Sequence, residues 1–91
     1  GRTVHLVKKN VRERLANYFT LMSDQYGQLC QDGVKISIRL SREEIASFIG
    51  TAHETAIRFI SEFKSLGLIK EEQKFFYVLD RFELAKLAGR R

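Results

Sequence analysis

Proline is absent from the 91-residue sequence, and cysteine, methionine and histidine are scarce. The single cysteine, Cys30, excludes an internal disulfide and a metal site built from several cysteines. The two histidines, His5 and His53, lie outside any metal-ligand spacing. No apolar run approaches the roughly 18 residues of a membrane span, and no signal-peptide pattern is present. We therefore expect a domain without a metal site or a membrane segment.

Positive charge is in excess, with 16 lysines and arginines against 11 acidic residues and a net charge of +5. Such a balance suits a polyanionic partner. The excess is uneven, because residues 1–27 carry five basic and two acidic residues whereas residues 51–67 carry two of each. With 44% hydrophobic residues the chain can build one core. We expect one small domain whose basic residues flank a neutral central segment.

The segment LSREEIASFIGTAHETAIRFISEFKSL, residues 40–66, has the pattern of two helices joined by a tight turn. Ser41 and Glu44 form a Ser-x-x-Glu capping box, in which each side chain satisfies a backbone N–H at the helix start. Gly50 is placed to end this first helix, where the backbone needs a left-handed or unhindered conformation.

A second capping box, Thr51 with Glu54, opens a longer helix over about 52–66, and Gly67 marks its end. Two helices joined by a turn of three or four residues that contains glycine make a helix-turn-helix. The second helix of that motif enters the major groove of DNA. In a basic chain the motif predicts sequence-specific binding to double-stranded DNA.

The residues before this motif predict a helix and a strand. An Asn-x-x-Glu capping box, Asn10 with Glu13, opens a helix of about 16 residues that ends at Gly27. A turn signal follows in the segment 28–34. Residues 35–40, KISIRL, then alternate apolar and polar side chains as a half-buried strand does.

The residues after the motif predict a β-hairpin and a short last helix. LIK and FFYVL are separated by EEQK, which is the pattern of a two-stranded wing. Asp80 and Glu83 form a capping box that opens a helix through Leu87. The order helix, strand, helix, helix, strand, strand, helix predicts an α+β fold, a winged helix-turn-helix. It is expected over residues 10–91 as a small helical bundle with a short antiparallel wing.

The helix over about 52–66 has an apolar face and a polar face. Its apolar residues recur at helical spacing and are expected to face the core, namely Ala56, Phe59, Ile60 and Phe63. The opposite face presents His53, Glu54, Ile57, Arg58 and Ser61. The first four of these lie in the first two turns, where a recognition helix contacts base edges. We therefore predict base reading by His53, Glu54, Ile57 and Arg58.

Arg58 is the principal candidate for a base contact. Its planar guanidinium can donate two hydrogen bonds to guanine O6 and N7, which is worth about 1–3 kcal/mol of discrimination. The alternative is an ion pair within the helix, because Glu54 and Glu62 each lie four residues away. Such a pair contributes only about 0.2–0.5 kcal/mol, so we expect a DNA contact to outcompete it.

The other three candidates each have more than one interpretation. Glu54 can accept a hydrogen bond from cytosine N4, or it can cap the helix by reaching back to the Thr51 N–H. His53 can contact a base, a phosphate or neither. Ile57 can contact a thymine methyl group or tuck against the first helix of the motif.

Phosphate contacts are expected at helix starts, where backbone N–H groups and the helix dipole favour anions, and near the wing. The candidates are Ser41, Arg42, Thr51, Thr55, Lys74 and Arg39. For each of them, simple solvation at the surface is the alternative. Glu71 and Glu72 weaken the wing as a phosphate-binding element.

From about Asn10 to Leu79 the sequence resembles the C-terminal DNA-binding domain of the Crp/Fnr family, the cyclic-AMP receptor and fumarate–nitrate regulator transcription factors. The resemblance is carried by NVRERLANYF, by LSREEIASFIGTAHETAIRFISEFKSLGLI with its Glu-Thr-x-x-Arg signature, and by the wing. It implies that Glu54 and Arg58 read a half-site containing a G·C pair together. His53 departs from the cyclic-AMP receptor branch, which has arginine at this position.

The resemblance also implies what an intact protein contains. Family members carry an effector-binding domain and a long dimerisation helix before this domain, so residues 1–9 would be the tail of that helix. The intact protein would be a homodimer on a palindromic operator in the bacterial cytoplasm, associated with the nucleoid. RNA polymerase is a candidate partner. No cofactor is implied for this domain.

A different function for the same fold is protein–protein interaction or dimerisation. It would need an exposed apolar patch, for example Ile57 together with the Tyr26–Leu29 region. An enzyme is not expected, because the sequence contains no nucleophile–base pairing, metal-ligand spacing or phosphate-binding glycine loop.

Overall fold

The computed structural model describes residues 10–89, which form four helices and one four-stranded antiparallel sheet. The elements in chain order are α1 (Val11–Tyr26), β1 (Gly27–Cys30), β2 (Gly33–Ile36), α2 (Arg42–Ile49), α3 (His53–Ser65), β3 (Ile69–Glu72), β4 (Phe75–Val78) and α4 (Arg81–Leu87). The winged helix-turn-helix is confirmed. The helix tail predicted over residues 1–9 lies outside the described residues.

Helix α1 begins and ends where the sequence predicts. The Asn10 side chain accepts a hydrogen bond from the Glu13 N–H at 2.8 Å, and the Asn10 N–H donates to Glu13 Oε1 at 3.0 Å. The inner face of the helix supplies much of the core, with Leu15, Ala16, Tyr18, Phe19 and Met22 buried. Because α1 packs against the sheet and against the other three helices, it holds the helix-turn-helix and the wing in one body.

The predicted single strand over 35–40 is wrong in extent, and one strand was missed. The structure has a hairpin of β1 and β2 in which Cys30 pairs with Gly33, so the predicted turn signal lies at the tip of this hairpin. All four residues of β1 are exposed, so the strand carries no alternation of apolar and polar residues to reveal it. Alternating burial continues beyond Ile36 because Ile38 and Leu40 pack inward from an extended link to α2.

Gly27 joins α1 to β1 without a loop. Its φ of −80° is open to any residue, so glycine is not required for its backbone conformation. A Cβ at this position would instead collide with the carbonyl oxygen of Ser23 and with Val34 Cγ1. The close approach of helix and strand is therefore the reason for glycine here.

The strands follow the order β1-β2-β4-β3, and the β3–β4 hairpin is the predicted wing. Phe76 and Val78 point into the core, whereas Phe75 and Tyr77 are half-buried on the outer face. The wing turn consists of Gln73 and Lys74, which both have positive φ, 53° and 72°. Two such residues in succession are typical of a type I′ turn, whose twist matches that of the strands.

Helix α4 closes the fold against α1. Its capping box is only half formed, because the Asp80 side chain accepts from the Glu83 N–H at 3.0 Å while the Glu83 carboxylate pairs with Lys86 at 3.2 Å. Within residues 10–89 no helix has the length and apolar character needed to cross a membrane.

Candidate nucleic-acid interface

The first helix of the motif and its turn form as predicted. Ser41 Oγ accepts from the Glu44 N–H at 3.0 Å, and Glu44 Oε1 accepts from the Ser41 N–H at 3.0 Å. Gly50 ends α2 in the left-handed region, at φ 72° and ψ 47°. Arg14 Nε of α1 donates to the last carbonyl of the helix, Ile49 O, at 2.6 Å. The turn between the two helices is therefore fixed both by its own backbone and by the central helix.

The second capping box, Thr51 with Glu54, is wrong. Helix α3 begins one residue later, with Ala52 as its N-cap and no side-chain capping bond. The Thr51 N–H already donates to Ala46 O at 3.0 Å as part of the turn. It is thus not an unsatisfied donor, and the capping role considered for Glu54 has no partner to serve.

Helix α3 separates into two faces as the sequence predicts. Ala56, Ile60 and Phe63 are buried against the core, and Phe59 is half-buried beside it. The exposed side chains on the other side are His53, Glu54, Ile57, Arg58 and Ser61, called the reading face below. Ile57 retains 38% of its surface exposed.

The intrahelical alternative for Arg58 is not formed. Glu62 pairs with Arg12 of α1, at 2.8 Å, instead of with Arg58. No ion pair joins Arg58 and Glu54 in the described part of the chain. The Arg58 guanidinium lies 5.8 Å from the centre of the Phe59 ring, a cation–π contact that leaves its N–H groups available.

Four of the six predicted phosphate-contacting residues line a single cleft between the start of α2 and the wing. The cleft has a volume of about 250 Å³. It is lined by Arg39, Leu40, Ser41, Arg42, Glu71 and Lys74. The other two candidates, Thr51 and Thr55, lie in the turn and in the first turn of α3, where both are half-buried.

Comparison with known proteins assigns the chain to one family. A profile of the Crp-like helix-turn-helix domain matches residues 13–87, which include all the helices and strands except the first two residues of α1. The chain belongs to this family. Domains of the family serve DNA binding in transcription regulation.

The relatives of this Crp-like domain are regulators. It is 34% identical over 84 residues to the transcriptional activator protein anr of Pseudomonas aeruginosa, and 31% identical over 84 residues to electron transport regulator A of Shewanella oneidensis. Both alignments cover 92% of this chain and 34% of the relative, so the chain spans about a third of their length. The structure of a CooA mutant from Carboxydothermus hydrogenoformans superposes with a TM-score of 0.83 at 28% identity, over 91% of this chain and 38% of that one.

Glu71 occupies a position in this Crp-like domain that sequence analysis did not anticipate. Its carboxylate accepts from Arg42 through Nη2 at 2.8 Å and Nη1 at 3.2 Å, and from Lys64 Nζ at 2.8 Å. These bonds, with that from Arg42 the largest cause, lower the pKa of Glu71 from 4.5 to about 2. The same bond raises the pKa of Arg42. Arg42 was predicted to contact phosphate, and this ion pair competes with that contact.

No local sequence signal identifies this cluster. Arg42 and Glu71 are 29 positions apart, and only the packing of the wing beside the helix-turn-helix brings them together. Lys64 and Glu71 lie on opposite sides of the turn at Gly67. The sequence showed an acidic wing, but not that one of its two carboxylates points towards the helices.

Arg39 and Lys74 differ from Arg42, since within residues 10–89 neither forms a side-chain ion pair. Arg39 lies 5.9 Å from the centre of the Phe75 ring, and Lys35, which sequence analysis did not single out, lies 4.4 Å from the same ring. Lys74 is exposed at the wing tip. The cleft therefore has uncompensated positive charge at its outer edge.

The apolar residues named for the protein-interaction alternative belong to different parts of the fold. Ile57 lies on α3, which packs on α1, α2 and β3, whereas Leu29 lies on β1, which packs on α1 and β2. Leu29 is 86% exposed on that edge strand. The free thiol of Cys30 is exposed next to it, and no cluster of metal-ligating side chains occurs within residues 10–89.

Proposed function

We propose that this domain binds double-stranded DNA in a sequence-specific manner, with α3 in the major groove. The reading face carries the proposal, because it presents polar groups of both signs on a helix whose opposite side is held in the core. A helix placed in this way can read base edges without moving relative to the rest of the domain.

Arg58 and Glu54 are the proposed base-reading pair. Arg58 would donate to guanine O6 and N7, and Glu54 would accept from cytosine N4. Two observations support these roles: Glu62 is engaged by Arg12, and the Thr51 N–H is engaged by Ala46. Neither proposed reader therefore has to break a bond within the motif in order to contact a base.

Ile57 and His53 complete the proposed reading face. Ile57 is exposed in spite of its apolar side chain, which suits contact with a thymine methyl group. His53 is the first residue of α3 and is also exposed. From there it can reach either a base or the phosphate beside it.

Phosphate contacts are proposed for Arg39, Ser41 and Lys74 in the cleft and for Thr51 and Thr55 at the start of α3. The cleft contains the N-terminus of α2, where the helix dipole favours an anion. Arg39 and Lys74 add positive charge on the same side. These contacts would fix the orientation of the domain on the duplex, and the reading face would supply the sequence preference.

The intact protein is proposed to act as a homodimer on a palindromic operator. Two reading helices related by a two-fold axis fit half-sites about 34–36 Å apart, one turn of DNA. The nucleoid of the bacterial cytoplasm as its location, and RNA polymerase as a partner, stay predictions that follow from this function.

The proposal is tested by selecting bound DNA from a pool of random duplexes. The selected duplex and a scrambled duplex of the same composition are then titrated at two salt concentrations. We expect a selected half-site with a G·C pair and a preference that survives at the higher salt. Equal and steeply salt-dependent binding of both duplexes would instead indicate a basic surface that meets phosphates alone.

The Arg58→Ala variant assigns the reading residue. It should lose about 1–3 kcal/mol of discrimination at one guanine while its binding to scrambled DNA changes little. Arg81→Ala is the control, because Arg81 is also an exposed arginine, at the start of α4, paired with Asp24 at 3.3 Å and absent from the cleft and the reading face. An equal loss of affinity for both duplexes in Arg58→Ala would contradict its role as a reader.

A further inference from the structure

Three elements of the motif meet at the carboxylate of Glu71. Glu71 lies on β3 of the wing, Arg42 is the first residue of α2, and Lys64 lies in the last turn of α3. The Glu71 side chain is 23% exposed, and those of Arg42 and Lys64 are 32% and 35% exposed. This cluster, called the Glu71 node below, is thus partly withdrawn from water at the junction of the wing with both helices.

We propose that Glu71 is a positioning residue for DNA reading, which ties the wing to both helices of the motif and holds Arg42 and Lys64 away from phosphate. The proposal rests on the proposed function, since it concerns how that interface reaches its specificity. Its effect is to fix the wing tip relative to the reading face and to lower affinity for unrelated sequences.

The covalent link between α3 and the wing is short and passes through Gly67, which has no side chain, before the buried Leu68. Gly67 lies in the left-handed region at φ 76°, and a Cβ at this position would meet nothing within 4 Å. The Glu71 node spans this link, because Lys64 precedes Gly67 and Glu71 follows it. Arg42 adds a second anchor through its two bonds to Glu71 and its position 5.7 Å from the centre of the Phe76 ring.

The geometry of the node suits positioning better than simple charge balance. A bidentate arginine–carboxylate pair fixes the direction of both side chains, whereas a single lysine contact does not. The wing carries Lys74 at its tip, and in the proposed complex Lys74 meets phosphate while Arg58 meets a base. A fixed angle between the wing and α3 satisfies both requirements at once.

The node also removes two cations from the set that could bind any DNA. For each additional phosphate that a protein neutralises, the plot of log affinity against log salt concentration becomes steeper by about 0.9. Between 50 and 200 mM salt, that change corresponds to an additional loss of affinity of about threefold. Glu71 therefore lowers the phosphate-driven binding that is common to all sequences.

The neighbouring Glu72 provides a matched control. Its side chain is 60% exposed and, within residues 10–89, forms an ion pair with Lys70 alone, at 3.3 Å. Glu71→Gln and Glu72→Gln change the net charge of the domain equally and at adjacent positions. A difference between the two variants therefore reports the node, not the loss of one negative charge near DNA.

The DNA experiment measures affinity for the selected and scrambled duplexes across a salt series, with circular dichroism confirming that each variant is folded at the temperature used. Glu72→Gln should strengthen binding to both duplexes alike and preserve their affinity ratio. Glu71→Gln should lower that ratio, because the wing is no longer fixed relative to α3, and should steepen the slope by about 0.9 for each phosphate that Arg42 or Lys64 then contacts. Adding Arg42→Ala to Glu71→Gln should return the slope towards the wild-type value.

A second experiment without DNA separates this proposal from the proposed function. Amide hydrogen exchange is measured in the wing strands and in the last turn of α3. Glu71→Gln should accelerate exchange there by severalfold relative to Glu72→Gln, while exchange in α1 stays unchanged. Such faster exchange supports the role of the Glu71 node in holding the wing, even if the wild-type chain shows no sequence preference for DNA. In that case only the proposed function fails.

Two results would overturn the proposal. One is equal wing exchange in the two variants, since the node would then not hold the wing. The other is a salt slope that steepens no more in Glu71→Gln than in Glu72→Gln, or an affinity ratio that Glu71→Gln leaves unchanged. In either case Glu71 would act on DNA binding through its charge alone.

Discussion

The two exposed sides of the helix-turn-helix are organised in opposite ways. On the reading face the charged side chains Glu54 and Arg58 remain without an ion pair among the described residues. On the wing side the carboxylate of Glu71 is shared by two cations. On the reading face both charged groups stay available, whereas on the wing side Arg42 and Lys64 are used within the domain.

This difference shows how a small basic domain can present a specific surface. Free cations bind phosphate in any sequence, so pairing cations within the domain weakens the binding that all sequences share. Unpaired groups on a fixed helix can instead satisfy base edges. The position of a charge relative to its internal partners, not the net charge of +5, separates the two sides.

The largest expected effect is a loss of stability when the buried face of α3, which supports both exposed sides, is disrupted. Phe63 is fully buried, and Phe63→Ala should cost about 3–5 kcal/mol of stability through lost contacts and a cavity. Urea unfolding followed by circular dichroism measures the change. Ile57→Ala, on the exposed side of the same helix, is the control and should cost well under about 1 kcal/mol. Equal losses would mean that the two faces of α3 are wrongly assigned.

The next effect concerns pH and involves the wing side alone. The folded state keeps Glu71 ionised down to about pH 2, whereas the unfolded chain protonates it near 4.5. The contribution of Glu71 to the free energy of unfolding is therefore complete above pH 4.5 and is lost as the pH falls towards 2. After allowance for solvent screening, we expect this stabilising contribution to be about 1–2 kcal/mol.

Urea unfolding of the wild type and of Glu71→Gln between pH 6 and pH 2 measures that contribution. The difference in stability between the two proteins should shrink as the solution becomes more acidic. Glu72→Gln should show no comparable convergence. A constant difference across the whole range would show that Glu71 does not stabilise the fold through its ionised form.

The local parts of this architecture were predictable from sequence. Capping at Asn10 and Ser41 and the left-handed Gly50 involve residues within four positions of one another, so short-range rules capture them. The buried and exposed faces of α3 followed from helical spacing in the same way. The Thr51 box failed because two local motifs compete for one N–H, and the turn bond to Ala46 prevails.

The parts that depend on tertiary packing were not predictable. Strand β1 pairs with β2, and its four exposed residues carry no alternation of buried and exposed side chains. The pairing of Arg42 with Glu71 depends on the approach of the wing to α2. Helical spacing therefore predicts which residues of α3 are exposed, but it does not reveal the internal partner of Arg42.

The smallest expected effect is a change in stability at the wing turn, on the wing side of the domain. Gln73 has φ 53°, a conformation that asparagine adopts more readily than glutamine. Gln73→Asn should therefore stabilise the domain by about 0.5 kcal/mol, seen as a higher urea midpoint with an unchanged m-value. Gln73→Val, which is β-branched, should destabilise it.

The same variant distinguishes the stiffness of the turn from the angle of the wing. Because the Glu71 node lies between the turn and the helices, Gln73→Asn should leave the ratio of affinities for selected and scrambled DNA unchanged. Lys74 stays in place in this variant, so its proposed phosphate contact is preserved. A change in that ratio would indicate that the turn conformation, and not only the node, sets how the wing meets DNA.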